Sequence, residues 1–516
     1  MKKINALLLS LLSGVLLWAA WPGSSLTPLI FFAWISLLLL ADMPMKKRTF
    51  WLYSYFTMLI WNVGTTWWIW NATDVGSVAA WLVNSLLMTI PWLGYLAVKT
   101  KLNRVQSLIA LVAFWMSFEF LHLQDWGLSW PWLTLGNVFA MHPEMVKWYQ
   151  FTGTAGGSLL VWAINILIYL HIKNERNNYW YPASAIIILA LTISFRFWYP
   201  EKKLNTSNNT LHTVVVQPNV NPYEKVTPGT SEAQLEKLIK LSEDKIDDST
   251  NLLVWPETAL YSPYGYNESR LLTEESLPPL WNMLKRHPQL KLFTGVESYN
   301  ITQEATAYSR KIGDYNIESY NGSVLLNQNG TISSYHKSML VPGVETLPWF
   351  LNFMSAWFDK FGGATAGYAK QTERTVVTDN DKIKIAPAIC YESIYGGFMR
   401  KFVKNGANVI CVITNDGWWK NTPGHIQHFN YARLRAIENN CWVIRSANTG
   451  ISAFINPNGQ AYSPQPYGEM AIIKMDIPIQ NQELTFYSKY GDWLSYLMLV
   501  LTATIITIAL VRKSPK

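Results

Sequence analysis

The stretch IKIAPAICYES at residues 383–393 is an apolar strand pattern that ends at a cysteine and runs into a helical pattern. Similar short apolar runs occur at residues 214–216, 252–255, 292–296, 324–326 and 409–413. Helical patterns lie between several of these runs, at residues 231–246, 278–286 and 425–440. Strands that alternate with helices are typical of a sheet covered by helices. Residues 211–480 are therefore predicted to form an α/β domain.

The chain on either side of this domain is far more apolar. A bilayer core about 30 Å thick is crossed by roughly 20 apolar residues of helix. Runs close to that length occur at residues 4–21, 26–41, 50–70, 79–98, 106–123, 153–171, 183–198 and 493–511. They predict a polytopic α-helical membrane bundle of about eight transmembrane helices, about seven in residues 1–200 and one in residues 490–512. The clusters WWIW at 67–70 and WPW at 130–132 are interpreted as rings at the membrane interface.

Lysine and arginine are distributed unevenly among the loops. When the spans alternate across the bilayer, basic loops at residues 2–3, 43–48, 99–104, 173–176 and 512–516 fall on one side. The loops at 22–25 and 71–77 fall on the other side and hold no Lys or Arg. The positive-inside rule predicts that both termini are cytoplasmic and that the α/β domain lies outside, in the periplasm of a bacterium with two membranes. The net charge of +8 therefore indicates a membrane protein rather than a nucleic-acid binder.

The cysteines and the spacing of possible metal ligands indicate which disulfides and cofactors to expect. The three cysteines, Cys390, Cys411 and Cys441, cannot all pair within one chain. No Cys and His spacing typical of zinc sites is present, and no GxxxxGK[ST] phosphate-binding loop. The sequence therefore predicts no disulfide framework, no metal and no other cofactor.

Three residues at the ends of predicted strands suggest a catalytic site: Glu257, Lys337 and Cys390. Singly, each has an ordinary explanation as a solvated carboxylate, a surface lysine or a small core residue. Together they supply the base, the fixed positive charge and the nucleophile that thiol acyl transfer needs. A cysteine where a strand meets a helix is also expected to lie near helix N–H groups, which favour the thiolate. His425 and His428 are interpreted as helix-surface residues, which counts against a Cys-His pair.

Motifs around these residues resemble those of the nitrilase superfamily. The matching segments are WPE at 255–257, HK at 336–337, CYE at 390–392, TNDGW at 414–418, RLRAIE at 433–438 and RSANTG at 445–450. With the apolar spans and the segment WPWL at 130–133, they resemble the bacterial apolipoprotein N-acyltransferase family. The resemblance implies a four-layer α-β-β-α sandwich for the soluble domain.

The resemblance also implies roles for individual residues. Glu257 is expected to be the general base, Lys337 the oxyanion stabiliser and Cys390 the nucleophile. Supporting or substrate-binding roles are implied for Asn321, Glu345, Tyr391, Glu392 and Trp418.

The implied reaction moves an acyl chain from a membrane phospholipid, through a cysteine thioester, to the N-terminal diacylglyceryl-cysteine of an apolipoprotein. The implied location is the bacterial inner membrane, and a monomer is expected because nothing in the sequence demands an oligomer. Two alternatives stay open at this point. One is a membrane-tethered amidase or nitrilase acting on a small substrate, and the other is a transporter-like bundle with a ligand-binding outer domain.

An aromatic segment lies between Lys337 and Cys390. Residues 347–361 include Trp349, Trp357 and Phe358, more aromatic surface than a solvated loop usually carries. One hypothesis is that this segment dips into the interface or forms a lid over the acyl chain. The alternative is an ordinary helix packed on the domain.

Overall fold

The computed structural model describes residues 2–173, 179–198, 210–225, 230–306, 308–346, 367–479 and 483–512. The chain divides into two compact units. One consists of residues 1–200 and 490–516, and the other of residues 201–489.

The first unit is helical. Its helices are Lys2–Ala19, Ile35–Ala41, Lys47–Thr66, Asp74–Leu87, Ile90–Val98, Arg104–His122, Tyr149–Thr152, Thr154–Lys173, Trp180–Trp198 and Trp493–Val511. The stretches long and apolar enough to cross a membrane are Asp74–Val98, Arg104–His122, Thr154–Lys173 and Trp493–Val511. Shorter apolar helices occur at Asn5–Ala19, Thr27–Ala41 and Trp180–Phe195. The described residues therefore support an apolar helical bundle, with four full-length candidate spans where the sequence predicted eight.

The third predicted span shows why the two numbers differ. It coincides with the 20-residue helix Lys47–Thr66, which is long enough but carries polar residues on its buried face. Thr57 is one of them, and its hydroxyl lies 3.0 Å from that of Ser10 on the first helix. Pairs of this kind satisfy polar groups inside a bundle, so a helix can be buried without being uniformly apolar.

Tryptophan rings form much of the core of this unit. Trp34 is fully buried and stacks on Trp162 with 5.0 Å between the ring centroids. Trp68 and Trp132 are also buried, and their rings lie 5.0 Å apart. The interpretation of both tryptophan clusters as interface rings is therefore wrong for these two residues, whereas Trp67 is exposed. Aromatic pairing inside the bundle accounts for the burial.

The second unit is built on two β-sheets. The strands of the first sheet are β1 (Thr210–Gln217), β2 (Leu252–Val254), β3 (Tyr266–Asn267), β4 (Lys291–Thr302), β5 (Arg310–Ile312), β6 (Tyr315–Asn327), β7 (Gly330–His336) and β14 (Ala471–Pro478). Its order is β14-β1-β2-β4-β6-β5, with β3 paired to β4 and β7 to β6. The strands of the second sheet are β8 (Val377–Thr378), β9 (Lys384–Ile389), β10 (Val409–Thr414), β11 (Trp442–Ala447), β12 (Ala453–Ile455) and β13 (Ala461–Tyr462), in the order β13-β12-β11-β10-β9-β8.

Helices cover the outer face of each sheet. Ser231–Glu243 and Pro278–Arg286 pack on the first sheet around a core that includes Leu238 and Leu284. Gly396–Lys404 and Pro423–Asn439 pack on the second sheet. The two sheets meet where the hydroxyl of Ser446 donates to the carbonyl of Val216 at 2.9 Å. This helix–sheet–sheet–helix order confirms the predicted nitrilase-type α/β domain.

Parallel strands bring the candidate residues to one edge. Strands β1, β2 and β4 are parallel, and so are β9, β10 and β11. Glu257 follows β2, Cys390 follows β9 and Asn415 follows β10. The carboxyl ends of parallel strands are where α/β folds commonly place ligands.

Candidate active site

Glu257 lies just past the end of β2 and is 7% exposed. Its Oε1 accepts a hydrogen bond from the side chain of Asn321, through Nδ2, at 2.8 Å. Its Oε2 accepts one from the backbone N–H of Asn415 at 3.1 Å. Gly295 on β4 lets the chain approach, since a Cβ there would come within 2.6 Å of Glu257 Cα. The carboxylate is therefore held from both sheets.

Lys337 follows β7 and is buried beside two carboxylates. Its Nζ lies 2.7 Å from Glu345 Oε1 and 3.3 Å from Glu257 Oε1. Burial by itself would lower the pKa of the Lys337 ammonium, but Glu345 and Glu257 outweigh it and hold the pKa well above its usual range. The positive charge is therefore a fixed part of the site.

Glu345 belongs to the same cluster. Its Oε1 also accepts from Asn321 Nδ2 at 3.2 Å, and its Oε2 accepts from the Val341 amide at 2.8 Å. Asn321 thus bridges Glu257 and Glu345, and the structure brings both predicted supporting residues into contact with Lys337 or its partners.

Cys390 ends β9 in an unusual backbone conformation. Its φ is +52°, in the left-handed region that residues with a side chain rarely adopt. Burial raises the pKa of its thiol above the usual range, Glu257 raises it further, and Lys337 lowers it. The expectation that a helix terminus would favour the thiolate is wrong for this arrangement. The helix that begins at Cys390 is a five-residue 3-10 helix, and burial is the largest influence on the pKa of the thiol.

Glu392 joins the cysteine strand to the lysine segment. Its Oε2 accepts from the Ile389 amide at 2.9 Å. Its Oε1 accepts from the Ser338 amide at 2.6 Å and from the Tyr335 hydroxyl at 2.7 Å. Burial raises the pKa of this carboxyl, and the two amides oppose the rise. Glu392 therefore sets the spacing between the chain segments that carry Cys390 and Lys337.

The remaining predicted residues differ in how closely they join the site. Tyr391 is buried, and its ring lies 5.2 Å from that of Tyr395. Trp418 is 38% exposed and packs on Tyr223 at 5.4 Å between ring centroids. Among the described residues, no hydrogen bond or ring contact joins Trp418 to the three catalytic candidates. Trp349, Trp357 and Phe358 lie outside the described residues.

A buried polar chain behind Cys390 was missed by the sequence interpretation. His428 Nε2 lies 3.0 Å from the carbonyl oxygen of Cys390, and its Nδ1 lies 2.9 Å from Asp416 Oδ1. Arg445 Nη2 donates to Asp416 Oδ2 at 2.6 Å. Burial would raise the pKa of Asp416, but Arg445 and His428 hold it well below its usual range.

The interpretation of the two helix histidines as surface residues is wrong, because His425 is 3% and His428 0% exposed. Their helix, Pro423–Asn439, is buried nearly all round, so a surface face does not exist there. Asp416 lies in the motif TNDGW and Arg445 in the motif RSANTG. These two motifs were the sequence signal for the buried polar residues behind Cys390.

The described residues contain no cluster of three His, Cys, Asp or Glu side chains that could hold a metal ion. What the site offers is the thiol of Cys390, the carboxylate of Glu257, which influences the pKa of that thiol, and the fixed ammonium of Lys337. That set is suited to nucleophilic acyl transfer.

Comparison with known proteins defines the class of enzyme. Residues 214–485 match the family described as carbon-nitrogen hydrolase. Residues 13–167 match the apolipoprotein N-acyltransferase N-terminal domain. The chain therefore belongs to the carbon-nitrogen hydrolase family, and its membrane part is of the apolipoprotein N-acyltransferase type.

Relatives resemble the chain along most of its length. The apolipoprotein N-acyltransferase of Chlorobaculum tepidum is 29% identical over 98% of this chain and 96% of the relative. That of Geobacter metallireducens is 24% identical, again over 98% of this chain and 96% of the relative. That of Rickettsia prowazekii is 29% identical over 78% of this chain and 76% of the relative. The protein is thus a membrane acyltransferase, and the transporter-like alternative has no support.

Proposed function

We propose that this protein transfers an acyl chain from a membrane phospholipid to the α-amine of the N-terminal diacylglyceryl-cysteine of an apolipoprotein. Cys390 is the nucleophile, Glu257 the general base and Lys337 the oxyanion stabiliser. The observation that carries the proposal is that Glu257 and Lys337 lie 3.3 Å apart and both influence the pKa of the Cys390 thiol. The match of residues 13–167 to the apolipoprotein N-acyltransferase N-terminal domain supports lipid substrates for this chemistry.

The first step forms a thioester. Glu257 accepts the proton of the Cys390 thiol while the sulfur attacks the carbonyl carbon of a phospholipid ester. An ammonium has three hydrogens, and two of those on Lys337 donate to Glu257 and Glu345. The third can donate to the oxyanion. Collapse of the intermediate breaks the ester C–O bond, Glu257 returns the proton to the glycerol oxygen, and a lysophospholipid leaves.

The second step uses the same residues in turn. The α-amine of the apolipoprotein attacks the thioester carbonyl, and the oxyanion is again stabilised by Lys337. Glu257 accepts a proton from the attacking nitrogen, the C–S bond breaks, and Glu257 returns that proton to the sulfur, which regenerates the thiol of Cys390. One site serving two substrates in succession is ping-pong chemistry.

The proposed setting is the bacterial inner membrane. We place both termini in the cytoplasm and the catalytic domain in the periplasm, with eight membrane crossings. The distribution of Lys and Arg among the loops supports this topology. Lipid anchoring of both substrates raises their effective concentration at the site, and a monomer is sufficient for the reaction.

Intact-protein mass measurement after incubation with phospholipid tests the proposal. The expected result is a gain of one acyl group that hydroxylamine reverses and that Cys390→Ala abolishes. Cys411→Ala is the matched control, because Cys411 is a fully buried strand residue and its loss should leave the adduct in place. If no adduct forms and the protein instead releases ammonia from amides or nitriles, it is a hydrolase of small substrates and the proposal is wrong.

A further inference from the structure

His336 precedes Lys337 in the sequence, and its side chain lies on the other face of the same strand pair. His336 is opposite Gly322 in the pairing of β6 with β7, and its ring stacks on Tyr320 with 3.8 Å between the centroids. Lys337 donates its backbone N–H to the carbonyl of Asn321 at 2.9 Å. Successive residues of a strand point to opposite faces of the sheet. Lys337 and Asn321 therefore face the candidate active site, and the His336 ring faces away from it.

Glu268 holds the His336 ring in place. Its Oε1 lies 2.6 Å from Nε2 of His336, and the two side chains are only 22% and 19% exposed. A carboxylate can only accept, so Nε2 carries a hydrogen whatever the charge of the ring. Burial by itself would raise the pKa of Glu268, but its contact with His336 holds that pKa below the usual range. Glu268 is thus an ionised acceptor for the ring.

Two side chains of β4 fix Glu268 in turn. Ser298 Oγ donates to its Oε1 and Asn300 Nδ2 donates to its Oε2, each at 2.7 Å. Both oxygens of Glu268 are therefore held against the sheet. Desolvation cancels much of the attraction within a pair of this kind, so the pair adds little to the free energy of unfolding. Its main effect is to fix the position of the His336 ring.

We propose that Glu268 and His336 are positioning residues, which hold the end of β7 so that Nζ of Lys337 stays beside Glu257. This role rests on the proposed function, in which Lys337 stabilises the oxyanion. Lys337 follows His336 directly, so a shift of the ring moves the backbone that carries the ammonium. Nζ lies 3.3 Å from Glu257 Oε1, and a misplacement of about 1 Å can slow a reaction about a hundredfold.

Alkylation of Cys390 by iodoacetamide measures the position of Lys337 without any lipid. Lys337 lowers the pKa of the thiol, so displacement of its ammonium reduces the thiolate fraction and slows alkylation. His336→Phe keeps a ring against Tyr320 but removes the donor to Glu268. In this variant we expect alkylation at about pH 8, followed by intact mass, to be at least about threefold slower.

His336→Gln tests whether the hydrogen bond is the cause. Its side-chain amide places an N–H near the position of Nε2, so alkylation should return to within about twofold of the parent rate. Both substitutions remove any charge on the ring, and recovery in His336→Gln alone therefore separates positioning from a direct effect of charge. Glu268→Gln, which keeps the size of the side chain, should slow alkylation in the same direction as His336→Phe.

His212 offers a matched control in the same sheet. Its Nδ1 lies 2.7 Å from Oδ1 of Asp476, so it is also a histidine paired with a carboxylate. It lies near the start of β1, whereas the candidate site lies at the carboxyl ends of the parallel strands. His212→Phe should leave the alkylation rate at the parent value.

Single-turnover acylation from phospholipid gives a second measurement. His336→Phe should slow it at least about tenfold while phospholipid binding is kept. Adding Glu268→Gln to His336→Phe should slow it little further, because the two residues act as one unit.

Unchanged alkylation in both His336→Phe and Glu268→Gln would overturn the inference. Equal slowing in His336→Phe and His336→Gln would overturn it as well, because the hydrogen bond to Glu268 would then not matter. A lower temperature of unfolding with neither rate changed would show a purely structural role and have the same consequence. Alkylation needs no acyl donor, so this result is independent of whether the thioester of the proposed function forms.

Discussion

Replacing Glu257 with Gln is expected to separate two properties of the Cys390 thiol, its acidity and its catalytic activation. The carboxylate of Glu257 raises the pKa of the thiol, and Lys337 lowers it. The variant removes the first influence and keeps the second. Because the pKa of the thiol falls, the thiolate fraction at a given pH below that pKa rises. Acyl transfer should nevertheless collapse, since the base that moves protons is lost.

The size of the effect can be worked from charge interactions. Two unit charges about 4 Å apart interact by about 1 kcal/mol in water and about 4 kcal/mol near a protein surface. Lys337 lies 3.3 Å from Glu257 and already offsets part of its negative charge. The interaction energy between Glu257 and the thiolate is therefore taken at the lower end of this range, about 1 kcal/mol. About 1.4 kcal/mol corresponds to a tenfold change in thiolate fraction. About 1 kcal/mol is then about a fivefold change, so alkylation of Cys390 by iodoacetamide should be about fivefold faster in Glu257→Gln at pH 7.5.

The rate is measured by intact mass over time, with Cys390→Ala giving the background from the two other cysteines, which are buried. In the unaltered chain, the rate should rise about tenfold per pH unit from about 7 to 9 without a plateau, because the pKa of the thiol lies above that window. Glu345→Gln is the companion variant and should change alkylation less, since Glu345 pairs with Lys337. Alkylation of Glu257→Gln at an unchanged or lower rate would refute the reasoning.

Three further substitutions test how the site is held. Glu392→Gln leaves the Ile389 or Ser338 amide facing an amino group, so thermal unfolding should show a loss of about 1–3 kcal/mol and thioester formation should slow at least tenfold. Gly295→Ala forces a Cβ to within 2.6 Å of Glu257 Cα, and we expect little folded protein by size-exclusion chromatography; a normal yield with full activity would contradict the close approach. His428→Phe removes the group 3.0 Å from the Cys390 carbonyl, and single-turnover acylation should slow about tenfold while phospholipid binding is kept; an unchanged rate would show that this contact does not position the nucleophile.

The membrane part was predictable in character but not in detail. Runs of about twenty apolar residues predict membrane helices, because a helix of that length crosses the bilayer and forms all its backbone hydrogen bonds internally. How many of those helices are full-length depends on where each begins and ends, and on polar residues such as Thr57 that are buried against another helix. Likewise, the sequence predicts Trp68 and Trp132 as interface rings, whereas in the structure the two rings pack against each other.

The sequence by itself determined a set of local patterns. These are strands that end near Glu257 and Cys390, apolar helices before and after the domain in the sequence, and motifs shared with a family. These follow from periodicity and short-range chemistry. Only the tertiary structure decided that burial raises the pKa of the Cys390 thiol, that Glu392 ties two segments together, and that His428 lies against the Cys390 carbonyl. The reason is physical, since burial and charge at one atom depend on side chains that folding brings from distant parts of the chain.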